Sequence, residues 1–175
     1  MTFEEIKNKI IEKFGAEIIL AEQADQLQAS LTIASSQLKQ VCLFLRDEPG
    51  LYFDYLNCLS GVDYATDKSE LSVVYHLSSI PLKHQLVLKV NIPFDRNSSS
   101  LPSTPSVSEV WRSADWHERE AFDMYGIQFD GHPDLRRILC PDDWEGYPLR
   151  KDYEPAEVYN GLKIKFDRST ENDKL

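Results

Sequence analysis

Cysteine is scarce in this sequence. Its three cysteines, Cys42, Cys58 and Cys140, lie far apart and form no C-x-x-C pair. An odd and sparse set of thiols is typical of a protein from a reducing compartment. The set also excludes an ordinary iron–sulfur cluster held by this chain alone, because such a cluster takes four cysteine ligands. The four histidines show no metal-ligand spacing either, so we predict no metal centre.

Long apolar runs and phosphate-binding loops are missing as well. No apolar run reaches the length of a transmembrane helix, and the sequence contains neither G-x-G-x-x-G nor a P-loop. The 29 acidic residues outnumber the 19 Lys and Arg residues, which gives a net charge of -10. This excess argues against nucleic-acid binding and against electrostatic docking on an anionic membrane. Residues 1–10 predict an amphipathic helix, not a secretion signal, so we expect a cytosolic protein that meets the membrane only through partners.

Two helices are predicted in the first half of the sequence. An apolar stripe favours a helix over residues 3–14, opened by a capping box of Thr2 and Glu5. A second helix follows residue 34, with Ser35 or Ser36 as its N-cap.

Alternating apolar residues predict the strands. Five strands are expected, over residues 17–21, 29–34, 52–64, 71–77 and 86–92. Gly61 should interrupt the third, and the last two should pair as antiparallel neighbours. Helices and strands in this order indicate an α+β two-layer sandwich.

Composition divides the chain into four parts. The sandwich takes residues 1–95, and a linker rich in serine and proline takes residues 96–105. A motif segment follows over residues 106–153. We expect the polar tail over residues 154–175 to be mobile at its end.

The motif segment is unusually rich in tryptophan and arginine. It holds all three tryptophans and five of the eight arginines of the chain, residue types that anchor protein–protein interfaces. Its first part predicts a helix with Ser113 or Asp115 at the N-cap and Gly126 as the residue that ends it. Prolines and glycines break the rest into irregular pieces, which we expect a partner to order.

Charged residues are spaced regularly on this predicted helix. Asp115, Arg119 and Asp123 follow each other at intervals of four, so we expect the Arg119 guanidinium to pair with both carboxylates. Apolar residues occur all around the helix. A helix of this kind has no single face for its own core, so we predict that it is wedged between this domain and another protein.

One run of residues carries a family resemblance. Residues 116–139 read W-x-E-R-E-x-x-D-x-x-G-I-x-F-x-G-H-P-D-L-R-R-I-L, and residues 142–146 and 148–153 read DDWEG and PLRKDY. This combination strongly resembles the 30-kDa subunit family of respiratory complex I, known in bacteria as the C subunit of NADH:quinone oxidoreductase. Tyr147 and His117 depart from the usual family pattern, which affects local contacts and not membership.

The resemblance implies a fold and a function. The fold would be two helices on one face of a five-stranded mixed sheet, followed by a short helical and irregular segment. The chain would be a non-catalytic subunit of the hydrophilic arm, peripheral on the cytoplasmic face of the cell membrane and packed against the large quinone-site subunit. FMN, iron–sulfur clusters and quinone would be bound by partner subunits and not by this chain. A related subunit of a membrane-bound hydrogenase or of a quinone reductase fed by another donor is the nearest alternative.

We predict that the motif segment forms the partner interface. Its candidate residues are Trp116, Glu118, Arg119, Glu120, Asp123, His132, Arg136, Arg137, Trp144, Arg150, Lys151 and Asp152. His132, which precedes a proline, is expected to form hydrogen bonds within a loop.

An alternative of another class is a stand-alone enzyme. Glu118, Glu120 and Asp123, with His117 beside them, could form an acid–base set if their side chains meet. The competing interpretation is that these carboxylates neutralise arginines.

Overall fold

The computed structural model describes residues 1–25, 27–64 and 69–164. Three helices are formed by α1 (Phe3–Phe14), α2 (Leu38–Asp47) and α3 (Ala114–Tyr125). The strands are β1 (Ile19–Gln23), β2 (Ser30–Ile33), β3 (Tyr55–Val62), β4 (Glu70–Ser79), β5 (His84–Pro93), β6 (Ser103–Pro105), β7 (Gln128–Asp130), β8 (Val158–Tyr159) and β9 (Leu162–Lys163). Short 3₁₀ turns at Ala16–Ile18 and Ser35–Gln37 precede β1 and α2.

The main sheet has five strands in the order β1-β2-β5-β4-β3. β2 and β5 run parallel, and every other neighbouring pair is antiparallel, so the sheet is mixed. The antiparallel pairing of β4 with β5 confirms the prediction from their alternating apolar residues. The predicted α+β fold with a five-stranded mixed sheet is confirmed.

Helices α1 and α2 bury their apolar stripes in the same core as the sheet. The predicted capping box is present, because Thr2 and Glu5 exchange side-chain and backbone hydrogen bonds at the start of α1. The prediction of Ser35 or Ser36 as the cap of α2 is wrong. These residues form the 3₁₀ turn, and Gln37 precedes α2 without a capping side-chain bond. Ser35 Oγ is instead 3.0 Å from Thr104 Oγ1.

Strand β3 is continuous through Gly61, so the predicted interruption is wrong. The glycine leaves room for another element and does not break the strand. A Cβ atom at Gly61 would lie 2.6 Å from a ring carbon of Tyr125, which belongs to α3. The missing side chain therefore lets α3 approach the sheet closely.

The core continues beyond the sandwich. Ser103–Pro105, the last part of the predicted linker, forms β6 and pairs in parallel with β7. Val107, Trp111 and Phe129 belong to the same apolar cluster as the buried residues of the sheet. Composition could not reveal this, because a strand of serine, threonine and proline is specified by its distant partner strand.

The end of the described chain contains a two-stranded hairpin. β8 and β9 are antiparallel and are joined at Asn160-Gly161. The rest of the predicted polar tail, residues 165–175, lies outside the described residues. Within the ranges that the structure covers, no helix combines the length and hydropathy needed to cross a bilayer.

A Gly61→Ala variant should be less stable than the wild-type chain. Its methyl group would overlap the Tyr125 ring, and overpacking of this kind costs about 1–3 kcal/mol. Chemical unfolding of the purified chain measures the loss. Gly50→Ala is the matched control, because a Cβ there would meet only the flexible end of Lys9 at 3.4 Å or more. Equal unfolding free energies for the two variants would contradict this account of Gly61.

Candidate partner interface

Helix α3 positions the segment that follows it. Gly126 ends the helix with φ 67°, as predicted from the sequence. Ser113 lies at the predicted N-cap position but makes no capping side-chain bond, because its hydroxyl donates to Leu56 O at 3.3 Å. On the sheet side, His117 Nδ1 accepts a hydrogen bond from the Leu59 N–H at 3.2 Å. Helix α3 is therefore fixed to β3 on one side, and side chains on its other side bind the surrounding loops.

Glu118 of α3 points into the core. One carboxylate oxygen accepts the Val107 N–H at 2.7 Å, and the other accepts the Ser106 hydroxyl at 2.6 Å. Burial raises the pKa of Glu118 to about 7, against the effect of these two hydrogen bonds, and the nearby Asp115 carboxylate raises it further. Glu118 thus fixes the chain that enters α3, and its side chain is fully buried.

Asp123, near the end of α3, binds the loop that follows. Its Oδ2 accepts three consecutive backbone N–H groups, those of Ile138, Leu139 and Cys140, at 3.0, 2.7 and 2.9 Å. Its Oδ1 accepts Arg137 Nη1 at 2.8 Å. Burial alone would raise the pKa of Asp123, but the three backbone donors and Arg137 together lower it. Successive N–H groups that converge in this way form a backbone nest for an anion.

Arg137 and Arg150 tie the irregular pieces to each other and to α3. Arg137 Nη2 donates to Gly146 O at 2.8 Å, in addition to its bond with Asp123. Arg150 Nε donates to Tyr125 O at 2.6 Å, and its guanidinium lies 4.3 Å from the centroid of the Tyr147 ring. The two arginines therefore act as cross-links within the segment.

A third buried carboxylate, Asp63 after β3, holds the far end of the segment. Its oxygens accept Arg96 Nη2 at 2.7 Å and the Lys151 N–H at 3.0 Å. Burial alone would raise the pKa of Asp63, but the hydrogen bonds from Arg96 and Lys151 lower it. Arg96 Nη1 also lies 3.0 Å from Asp152 Oδ1. The segment is thus connected to the sheet as well as to α3.

His132 makes the hydrogen bonds expected of it. Its Nδ1 accepts the Asp134 N–H at 3.0 Å, and its Nε2 is 3.1 Å from Asp115 O. The side chain is fully buried, 3.5 Å from Asp115 Oδ1 and 3.9 Å from Glu118 Oε2. It joins the turn after β7 to the first turn of α3. Among the described residues, no group of three or more His, Cys, Asp and Glu side chains is arranged to bind a metal ion.

The expected pairing of Arg119 with Asp115 and Asp123 is wrong. The guanidinium lies 4.7 Å from the Trp116 ring centroid, and its Nε is 3.5 Å from Arg136 O. Asp123 is occupied by Arg137 and by the backbone instead. The prediction that α3 is wedged against another protein stays a prediction. The chain's own C-terminal loop covers part of the outer side of α3, whereas Trp116 and Glu120 remain exposed.

The candidate interface residues separate into two groups. Those that are buried or mostly covered within the chain are Glu118, Arg119, Asp123, His132 and Arg137, with Trp144 and Arg150 half-buried. Those that face solvent are Trp116, Glu120, Arg136, Lys151 and Asp152. An interface role stays a prediction for the exposed group, whereas the buried group fixes the segment from within.

The carboxylates of the enzyme alternative do not converge. Glu118 reaches Ser106 and Val107, while Asp123 reaches the loop at 138–140. Glu120 is exposed, and His117 is bonded to the sheet. The structure therefore assembles no acid–base set from these residues.

Sequence reasoning missed Ser106, Asp63 and Arg96. A hydrogen bond to a backbone N–H leaves no pattern in residue spacing, and Asp63 is 88 positions away from Lys151. Only knowledge of which distant segments meet in the folded chain could have identified these three residues.

The geometry defines a class of protein: a small α+β domain whose C-terminal segment is organised by its own buried charges. A family model described as respiratory-chain NADH dehydrogenase, 30 Kd subunit, matches residues 31–159. The chain belongs to this 30-kDa subunit family.

Named relatives agree with this assignment, and a solved structure shares the fold. The C subunit of NADH-quinone oxidoreductase from Chloroherpeton thalassium is 48% identical over 159 residues, which cover 90% of this chain and 63% of that protein. The C subunit of the same enzyme from Chlorobium phaeobacteroides is 46% identical over 156 residues, 89% of this chain and 90% of that protein. The chain thus spans less than two thirds of the first relative. A chain in the structure of the membrane-bound sulfane sulfur reductase, an archaeal respiratory membrane complex, shares the fold with a TM-score of 0.69 at 24% identity, covering 86% of this chain and 85% of that one.

An Asp123→Ala variant should lose much of the stability of the isolated chain. It would leave Arg137 and three backbone N–H groups without their acceptor, and breaking a buried pair from one side costs about 3–5 kcal/mol. Arg119→Ala removes mainly a contact with Trp116, worth about 1–2 kcal/mol. Urea unfolding of both variants measures the difference. A loss for Arg119→Ala as large as that for Asp123→Ala would contradict the assignment of Asp123 to the loop.

The stability of the chain should depend on pH through Glu118. Its pKa is about 7 when folded and 4.5 ordinarily, so the folded chain holds a proton that the unfolded chain releases between these values. The resulting stabilisation is complete below pH 4.5 and is lost as the pH rises through about 7, on the order of 3 kcal/mol. Glu118→Gln cannot ionise and should lack this slope, while Glu120→Gln on the exposed side should keep it. Unfolding free energies between about pH 5 and 8 test this, and parallel curves for Glu118→Gln and wild type would refute it.

Proposed function

We propose that the chain is a non-catalytic structural subunit in the hydrophilic arm of a proton-translocating NADH:quinone oxidoreductase. In this proposal electrons pass from NADH through FMN and iron–sulfur clusters of other subunits to quinone, and this chain binds none of these groups. It lies on the cytoplasmic face of the cell membrane, held there by its partners. Family membership supports the proposal, because the relatives are named as the C subunit of that enzyme.

One observation carries the assembly role: buried charges fix the segment from inside while apolar side chains face outward. Asp123 holds the backbone of residues 138–140, yet the Leu139 side chain in the same loop is 61% exposed. Leu149, next to the cross-linking Arg150, is 50% exposed. A rigid loop that presents leucines to solvent is suited to being covered by another protein.

We propose that the covering protein is the large quinone-site subunit of the hydrophilic arm. The exposed charged residues of the segment, Arg136 and Lys151 among them, would form the polar rim around the apolar contacts. Charged residues at such a rim contribute more to the orientation and specificity of binding than to its affinity. The buried carboxylates would act before assembly, because they set the shape that the partner meets.

Purification of the tagged full chain from membranes tests the proposal. The host would lack its own copy of the gene. We expect the chain to co-purify with flavin- and cluster-carrying subunits in a complex that reduces quinone with NADH. Recovery of the chain alone, or with a hydrogenase module in place of the NADH-oxidising one, would contradict the proposal.

Charge placed on the exposed leucines should reduce assembly without unfolding the chain. Leu139→Asp and Leu149→Asp would each put a carboxylate into the proposed contact, while their side chains contribute little to the isolated fold. We expect about tenfold less of each variant in the purified complex at equal expression. Leu20→Asp is the matched control, because Leu20 is equally exposed, at 62%, but lies on β1. If the two variants were recovered in the purified complex in the same amount as Leu20→Asp, the proposed contact of Leu139 and Leu149 with a partner would be refuted.

A further inference from the structure

A small aromatic pocket lies between the irregular segment and the hairpin of β8 and β9. We call it the Trp144 pocket. Three aromatic rings and two carboxylates contribute to its lining, from Asp143, Trp144, Glu145, Tyr153 and Tyr159. Its volume is about 220 Å³, below the roughly 300–1,000 Å³ of pockets that bind small molecules. The pocket is therefore suited to one side chain of a protein partner.

The rings of the pocket are held in place by their neighbours within the chain. The Trp144 and Tyr159 rings pack with their centroids 5.1 Å apart. The Tyr159 hydroxyl donates to Asp143 Oδ1 at 2.7 Å. The Tyr153 ring lies against Gly146, where an added Cβ atom would come within 3.0 Å of a ring carbon. Rings fixed in this way bind a cation without first losing side-chain freedom.

Both carboxylates of the pocket are able to accept further hydrogen bonds. Asp143 Oδ1 accepts the Tyr159 hydroxyl, whereas its Oδ2 makes no hydrogen bond within the described part of the chain. Glu145 is exposed, and over the same residues its side chain forms neither an ion pair nor a hydrogen bond. The pocket therefore presents two negative charges beside fixed aromatic rings, which is the surrounding that a cation prefers.

The described residues supply no cation of their own to this pocket. None of those that line it is basic. Residues 141–164 hold six acidic residues against three basic ones, Arg150, Lys151 and Lys163. The two lysines are exposed and lie outside the lining, and Arg150 is stacked on aromatic rings elsewhere in the segment. The charge around the pocket thus selects a positively charged occupant from outside these residues.

We infer that the Trp144 pocket binds an arginine side chain of another subunit of the same complex. The guanidinium would stack on the Trp144 ring and pair with the Asp143 and Glu145 carboxylates. A planar guanidinium matches rings and carboxylates at once, whereas an ammonium group acts as a point charge. Arginine is also enriched at the core of protein–protein interfaces. The inference rests on the proposed function, and it adds a polar contact separate from Leu139 and Leu149.

Binding of a single arginine to the purified full chain tests the pocket itself. The probe is N-acetyl-arginine amide, and N-acetyl-citrulline amide is its control, because citrulline has nearly the same shape without the charge. We expect only the arginine probe to shift the NMR signal of the Trp144 indole N–H, which is assigned from its loss in Trp144→Leu. Glu145→Gln should weaken this binding about fivefold. Glu154→Gln is the matched control, because Glu154 is equally exposed but does not line the pocket.

A competition between tagged copies tests whether a partner uses the pocket. Wild type and variant would be expressed at equal levels with different tags, in a host that lacks the native gene and with the partner subunits limiting. We expect Glu145→Gln and Trp144→Leu each to be about tenfold under-represented in the purified complex, and Glu154→Gln to match wild type. The melting temperature of the isolated Glu145→Gln chain should equal that of wild type, so misfolding would not explain its loss from the complex.

Four outcomes would overturn the inference. Equal shifts from the two probes, or a shift from neither, would show that the pocket does not recognise an arginine side chain, and would leave the proposed function intact. Equal incorporation of all three variants would show that no partner occupies the pocket. If the arginine probe bound only after Lys165, Arg168 and Lys174 had been replaced by glutamine, the occupant would be the chain's own C-terminal residues. A complex that lacks even the wild-type chain would refute the proposed function and, with it, the partner inferred here.

Discussion

The carboxylate of Asp123, bound by three consecutive backbone N–H groups and by Arg137, determines the shape of the segment after α3. An irregular loop has no ladder of its own to satisfy its backbone donors, so it needs an acceptor from elsewhere. A charged acceptor forms stronger hydrogen bonds than a neutral one. One residue of a helix therefore specifies a loop more than ten positions away, and through Arg137 that loop is joined to Gly146.

Two further carboxylates extend this principle to both ends of the segment. Glu118 binds the chain that enters α3, and Asp63 binds the chain near Lys151. Their protonation behaviour differs because their surroundings differ: Glu118 lies in the core with two donors and its pKa is raised, whereas Asp63 faces an arginine and its pKa is lowered. These buried charged residues thus fix the conformation of the segment from within. The side chains on its outer surface remain available to contact a partner.

The regular elements could be predicted from the sequence because periodicity and capping are local. The Thr2 capping box, the alternation in β4 and β5 and the glycine that ends α3 all follow from neighbouring residues. The partners of Asp123 could not be predicted from the sequence. Helix spacing favoured Arg119, four positions away, and says nothing about backbone donors in a loop. Strand β6 and the bond from Lys151 to Asp63 also depend on segments that meet only in the folded chain.

Amide hydrogen exchange of the isolated full chain tests the central claim most directly. If Asp123 organises the segment without a partner, the amides of Ile138, Leu139 and Cys140 should exchange as slowly as those of the hydrogen-bonded strands β4 and β5, within about a factor of ten. The three amides should lose protection together in Asp123→Ala. Exchange of these amides at the rate of an unfolded peptide in the wild-type chain would contradict the claim, because the segment would then acquire its structure only in the complex.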